Sequence, residues 1–190
     1  MSDLIWQMPQ DNAAIRAAFA AGWAFAYPTE AVWGIGANPA DEAAVQAVIA
    51  LKARPAEKGL IMVAADWSQL DGWITPLAAN EIVAMQDLQH ERATTFVVKA
   101  GHKTAAAVCD AATGRVAVRI SHHQTVQALC RLLGQPLLST SANPAGQAAA
   151  LDLAQVRRYF PDLPCVMGEV EDAKRPSRII DWQTKAILRE

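Results

Sequence analysis

Three cations, Lys52, Arg54 and Lys58, crowd around Pro55 and lead into Gly59. Their spacing concentrates positive charge on a connection between secondary-structure elements, where loops carry function on a rigid scaffold. The chemistry on offer is neutralisation of an anion. Lys and Arg also gather in the last turn of ordinary helices, where they offset the negative end of the macrodipole, so the cluster needs support elsewhere. That support begins at Pro136 to Gly146, where an apolar run ends in Ser139, Thr140, Ser141 and Asn143. Small hydroxyls and an amide at the end of a buried strand suit coordination of an anion or cation, although the same residue types serve ordinary turns and caps. A third group is Arg115 to Ile120, RVAVRI, whose alternation puts Arg115 and Arg119 on one face of a strand.

These groups need elements to hold them. Asp11 is placed to cap a helix containing Ile15 and Phe19, with Gly22 closing it. Trp23 to Tyr27 reads as a strand, and Gly34 and Gly36 allow close backbone approach in the next segment. Asp41 opens a helix with Val45, Val48, Ile49 and Leu51 on one face. Leu60 to Ala64 is apolar throughout, as a strand covered on both faces should be. Helices are predicted over Leu77 to Leu88, Lys103 to Val108, Gln124 to Leu133 and from Asp152 to Tyr159, and strands over Thr94 to Lys99 and Arg115 to Ile120. Three strands close the chain near Cys165 to Met167, Arg178 to Trp182 and Ala186 to Arg189, and are expected to pair antiparallel at one edge. Alternating strands and helices predict one three-layer α/β domain over residues 1–190 with a twisted, mixed parallel and antiparallel sheet.

Composition narrows the function. With 52% hydrophobic and 19% charged residues the chain builds a packed core. A net charge of −2 argues against a protein that coats nucleic acid nonspecifically. Cys109, Cys130 and Cys165 are far apart and unpaired by motif, which reads as reduced thiols of a cytoplasmic protein. No run of 18 apolar residues and no signal-like N-terminus argue for a membrane. Gly34-x-Gly36 lacks the third glycine of a dinucleotide fingerprint, since Pro39 stands there, and no Walker sequence exists. His122 and His123 read as a surface turn ahead of a helix, with no metal-ligand spacing.

Taken together, Tyr27-Pro28-Thr29-Glu30 with Gly34-x-Gly36, Lys52-x-Arg54-Pro55, Val116-Ala117-Val118-Arg119 and Ser139-Thr140-Ser141-Ala142-Asn143 resemble the YrdC/TsaC family of threonylcarbamoyl-AMP synthases in its short bacterial form. The order and spacing match from about Asp11 to Arg189. The resemblance implies a concave basic cavity and a reaction in which L-threonine, bicarbonate and ATP, with Mg²⁺, give threonylcarbamoyl-adenylate and pyrophosphate. It further implies a place in t6A modification at position 37 of tRNAs reading ANN codons, with transferase-complex proteins as partners, and contact with tRNA or double-stranded RNA.

By motif, Lys52, Arg54, Ser141 and Asn143 correspond to the catalytic set around the ATP phosphates, joined by Lys58, Thr95 and Arg189 as nucleotide contacts. Thr29, Arg119, Ser139 and Ser177 correspond to threonine-binding positions. An arginine at 119 suits this, because a guanidinium grips a carboxylate with two prongs and an ammonium does not. One segment departs from the family: His90, Glu91, Arg92 and Ala93 stand where W-P-G-P is usual, which predicts an altered loop with Arg92 as a new cation near the cavity. That departure keeps open a paralogue with changed nucleotide chemistry, and the basic concavity implied by the resemblance keeps open a non-catalytic RNA-binding relative.

Overall fold

The computed structural model describes residues 4–53, 60–171 and 177–190. Arg54 and Lys58 lie outside the described residues. Ten strands form one sheet: β1 (Ile5–Trp6), β2 (Phe25–Pro28), β3 (Trp33–Ala37), β4 (Ile61–Ala64), β5 (Thr94–Lys99), β6 (Arg115–Ile120), β7 (Leu137–Ser141), β8 (Cys165–Val166), β9 (Arg178–Asp181) and β10 (Ile187–Arg189). Among the described residues five α-helices accompany them: α1 (Asn12–Ala20), α2 (Glu42–Leu51), α3 (Ala79–Glu91), α4 (Gln124–Leu133) and α5 (Leu153–Tyr159). The strand order is β1-β8-β2-β3-β7-β4-β6-β5-β9-β10. Pairing is mixed: β4–β6 and β5–β9 run parallel, whereas β3–β7 and β5–β6 run antiparallel.

The period-two alternation of the strands sorts their side chains between two apolar layers. Ala26, Met62, Ala64, Phe96, Val118, Leu138 and Ile180 face a large core that also takes up side chains of α2, α3 and α5. Phe25, Tyr27, Val63 and Leu137 face the other way, onto Ile15 and Phe19 of α1 and Val126, Leu129 and Cys130 of α4. Among the described residues, no side chain of β5, β6, β9 or β10 joins this second layer. The sheet is therefore covered on both faces from β1 to β4, but over β6, β5 and β9 one face carries no helix layer. Arg115, Ala117 and Arg119 on β6, Val97 on β5 and Ile179 on β9 point there and keep partial exposure.

Local chemistry explains most boundaries. Asp41 accepts from the backbone N–H of Ala43 and Ala44 and so caps α2, and Asp152 does the same for α5 through Gln155. Gly134 closes α4 at φ +70°, where a side chain would be strained. Other expectations are corrected. Asp11 precedes α1 but does not cap it, because its carboxylate instead accepts from Gln7 N–H at 2.7 Å. Lys103 to Val108 yields only a 3-10 turn at Ala106–Val108, since Lys103 and Thr104 hydrogen-bond to Asp71 and Trp73 carbonyls instead of continuing a helix. The closing strands separate: β8 pairs parallel with β1 and β2 at one edge, and only β9 and β10 pair antiparallel at the other. Leu51, placed on the apolar face of α2, is exposed at 37%.

Candidate functional site

Lys52 is the C-cap of α2, and its side chain is 2% exposed. A buried ammonium needs acceptors, and the turn after β7 supplies them. Nζ donates to Ser141 O, to Asn143 O at 2.9 Å and to Asn143 Oδ1 at 3.3 Å. Ser141 Oγ donates to Asn143 Oδ1 at 2.6 Å, and Asn143 Nδ2 reaches Gln147 O at 2.8 Å. The chain returns the contact, because Ala145 N–H donates to Lys52 O at 3.0 Å. Two segments far apart in sequence are thus one unit. The ammonium serves as the clamp of the turn, and a phosphate would reach it only by replacing one of these oxygens.

β7 continues the site. Ser139 lies on the same sheet face as Ser141 and accepts at 2.8 Å from the hydroxyl of Tyr27. Burial pushes that phenol well above its ordinary range, with the Ser139 hydrogen bond opposing, so it stays a neutral donor. Gly36 is required beside it: an added Cβ would stand 2.6 Å from Tyr27 Cε1 and 3.2 Å from Leu138 O. Thr29 is nearly buried and donates to Val32 O at 2.6 Å, which folds the turn between β2 and β3.

Arg119 lies two strands from β7, and its Nη2 is 3.1 Å from Glu30 Oε2. Ser121 Oγ donates to Glu30 Oε1 at 2.6 Å. Burial pushes the Glu30 carboxyl up, but the Arg119 guanidinium and the Ser121 hydroxyl outweigh it and hold it below the ordinary glutamate value. The ion pair lacks hydrogen-bond alignment: Glu30 Oε2 and Arg119 Nε are both buried without a hydrogen-bond partner. A buried donor left in that state is costly, and Arg119 keeps a ready position for an acceptor.

Beyond Arg119 the register places Phe96 opposite Val118, and hence Thr95 opposite Arg119. Thr95 Oγ1 and Ser177 Oγ are 2.8 Å apart. Arg189 donates from Nε and Nη2 to Ser177 O at 3.0 and 2.8 Å, and from Nη2 to Ser177 Oγ at 3.1 Å. Partial burial, then the charges of Arg119 and Arg92, pull Arg189 below the ordinary arginine value, so both of those guanidinium groups lie within electrostatic reach of Arg189.

The structure therefore assembles the expected residues into two corners, Lys52–Ser141–Asn143 and Thr95–Ser177–Arg189, with Ser139 and Arg119 between them on the same sheet face. Sequence reasoning missed Tyr27 as the partner of Ser139 and Ser121 as the partner of Glu30; Tyr27 stands in the Y-P-T-E run, whereas nothing local marks Ser121. His123 is corrected from a surface turn to a buried residue, 3% exposed, with Nε2 2.9 Å from Glu169 O. Helix α3 continues through Glu91, so His90 and Glu91 form its last turn instead of a loop, and Arg92 is its C-cap.

A cavity of about 380 Å³ opens elsewhere, at the opposite ends of β5 and β6, with Thr75, Leu77, Lys99, Arg115 and Trp182 in its lining. Its chief charges are already matched. Arg115 bonds to Asp181 and Gln183, Glu81 accepts from Trp182 Nε1 at 2.8 Å, and Lys185 Nζ sits 2.9 Å over the Trp182 ring. It does not involve the Lys52 or Arg119 groups. Among the described residues, no group of three or more His, Cys, Asp or Glu side chains is arranged to hold a metal, and no helix is long and apolar enough to cross a membrane. Burial raises the Cys130 thiol to about 12 and the Cys165 thiol to about 11, which makes both unreactive.

Fold and site together define an α/β protein with a sheet only partly covered by helices on one face, along which hydroxyl, amide and guanidinium groups are ranged. The family model Sua5/yciO/yrdC, described as "Telomere recombination", matches residues 17–190. Threonylcarbamoyl-AMP synthase of Dichelobacter nodosus is 52% identical over 97% of this chain and 96% of its own. The synthase of Saccharophagus degradans is 43% identical over 88% of each chain. Sua5 of P. abyssi, solved in complex with L-threonine, superposes with a TM-score of 0.76 at 26% identity, covering 94% of this chain. The chain spans only about half, 53%, of that longer protein. E. coli YciO shares the fold, with a TM-score of 0.80 at 19% identity over 98% of this chain and 94% of its own. The chain belongs to the Sua5/YciO/YrdC family.

Proposed function

We propose that this chain is an L-threonylcarbamoyladenylate synthase, a nucleotidyltransferase that converts L-threonine, bicarbonate and ATP into threonylcarbamoyl-AMP and pyrophosphate. The observation that carries this reading is that the Lys52–Ser141–Asn143 corner, Arg119 and the Thr95–Ser177–Arg189 corner are ranged along one sheet face, in a chain 52% identical to a threonylcarbamoyl-AMP synthase. That face is the basic cavity of the enzyme.

The threonine amine and bicarbonate give a carbamate and water. A carbamate oxygen then attacks the α-phosphorus of ATP, and the bond from that phosphorus to the bridging oxygen of pyrophosphate breaks. Pyrophosphate leaves with the electron pair. The chain needs no covalent intermediate, so its work is alignment and charge stabilisation. Arg119 takes the threonine carboxylate through its unpartnered Nε and an Nη, while Glu30 and Ser121 fix the guanidinium. Thr29, Ser139 and Ser177 hold the rest of the amino acid. Ser141 and Asn143, clamped by Lys52, face the phosphates, a role the family motif extends to Arg54 and Lys58, and Thr95 and Arg189 bound the nucleotide. Magnesium would arrive on the ATP phosphates, as suits an ion that keeps most of its waters.

The product is a reactive mixed anhydride, consumed by a transferase complex that modifies position 37 of tRNAs reading ANN codons. A cytoplasmic location follows from that partnership. Incubating the purified protein with ATP, L-threonine and carbon-labelled bicarbonate tests the reading directly. The label is expected in an adenylate that is absent when threonine is omitted; an adenylate lacking the label rejects the proposal.

A further inference from the structure

Arg92 belongs to the segment that departs most from the family pattern, and the structure holds it firmly. As the C-cap of α3 its N–H donates to Leu88 O at 3.3 Å, and its carbonyl accepts from Thr94 Oγ1 at 2.8 Å. Its Nη1 lies 3.0 Å from Glu190 Oε2. Glu190 follows Arg189, Arg189 is bonded to Ser177, and Ser177 Oγ is 2.8 Å from Thr95 Oγ1. These contacts, joined by the chain bond between Arg189 and Glu190, bring Arg92 near the nucleotide corner of the site, where its charge acts on Arg189. The two partners differ in setting: the Arg92 side chain is 26% exposed and that of Glu190 70% exposed. The hydrogen bonds of Arg189 to Ser177 go only to neutral oxygens.

We propose that Arg92 is an exchangeable phosphate-binding residue, held by Glu190 in the empty enzyme and transferred to the polyphosphate of ATP when the nucleotide enters. The inference rests on the synthase reading for the identity of its ligand. An ion pair to so exposed a carboxylate is worth little, so giving it up costs little. A guanidinium gains two parallel charge-assisted bonds from a phosphate. The threonine carboxylate, a single charge like Glu190, has no comparable power to displace it, whereas a polyphosphate carries several negative charges. The site thereby acquires a further cation at the position where the family pattern has none.

The test is calorimetric titration of the full chain with ATP and, separately, with inorganic tripolyphosphate, using wild type, R92A, R92K and E190Q. R92A is expected to weaken both ligands about tenfold, and R92K to recover part of the loss. E190Q is expected to tighten both by a few-fold, because it removes the competitor; a strut that merely tied Arg92 to Glu190 would make R92A and E190Q behave alike. Unchanged binding by R92A, or weakening by E190Q equal to that of R92A, overturns the proposal. Wild-type pyrophosphate release separates it from the synthase reading. If there is no threonine-dependent release but R92A and E190Q still shift tripolyphosphate binding oppositely, the phosphate contact stands and the synthase reading falls. If release is normal and R92A keeps the wild-type KM for ATP, the contact falls and the reading stands.

Discussion

Lys52 is a buried charge that donates to three oxygens of one turn, and this decides what its replacement does. Lys52→Met keeps the stem volume but strands Ser141 O, Asn143 O and Asn143 Oδ1 without their shared donor. The expected cost is about 3 kcal/mol of stability, read as a lower midpoint in urea, with pyrophosphate release falling by about a hundredfold or more because the turn no longer holds Ser141 and Asn143. Normal release from a folded Lys52→Met protein removes Lys52 from the machinery. Glu30 gives a prediction in pH. Its folded value is depressed, so its contribution is complete above the unfolded value of about 4.3 and is lost as pH falls through the lower folded value. Glu30→Gln is expected to be about 3 kcal/mol less stable at pH 7, with Arg119 left buried and unmatched. Denaturant melts at pH 7 and pH 3 are expected to show wild type losing more of its stability on acidification than the variant; equal losses contradict the ion-pair account.

At the scale of elements, the site depends on how closely β2, β3 and β7 lie. Gly36→Ala is expected to displace the Tyr27 ring, break its 2.8 Å bond to Ser139 and cost about 1–3 kcal/mol. A lowered melting temperature with a raised KM for threonine checks it, and a variant indistinguishable from wild type refutes the close packing. Much of this level was legible beforehand. β5, β6 and α4 match their predicted ranges because each carries a strong local signal, the β-branched run TTFVVK, the alternation of RVAVRI and Gly134 after Leu133. Lys103–Val108 misled because its helical composition is overridden by bonds to Asp71 and Trp73, which no local pattern announces. β8 was read as neighbouring β9 because strands close in sequence usually pair, whereas its register partners are Ile5, Trp6 and Ala26. The residues proposed for the site were picked out through the family resemblance of their motifs. Their partners were not, since Ser121 for Glu30 and Tyr27 for Ser139 exist only through contacts between segments about a hundred residues apart.

At the scale of the molecule, the helices are distributed unequally over one continuous sheet. α1 and α4 cover the second face from β1 to β4, and among the described residues no helix continues that layer over the remaining strands, where Arg119 and Thr95 point. Building both corners of a site on one sheet fixes their separation through backbone hydrogen bonds, which suits a reaction needing alignment of two substrates more than covalent help. The two corners draw on residues 52, 141 and 143 and on residues 95, 177 and 189, so nearly the whole chain must fold before either substrate is held. The most direct measurement is pyrophosphate release from MgATP by the purified chain, with L-threonine and bicarbonate omitted in turn. The account predicts release that requires both and collapses when either is absent. Release indifferent to threonine, or none at all from folded protein, would contradict it.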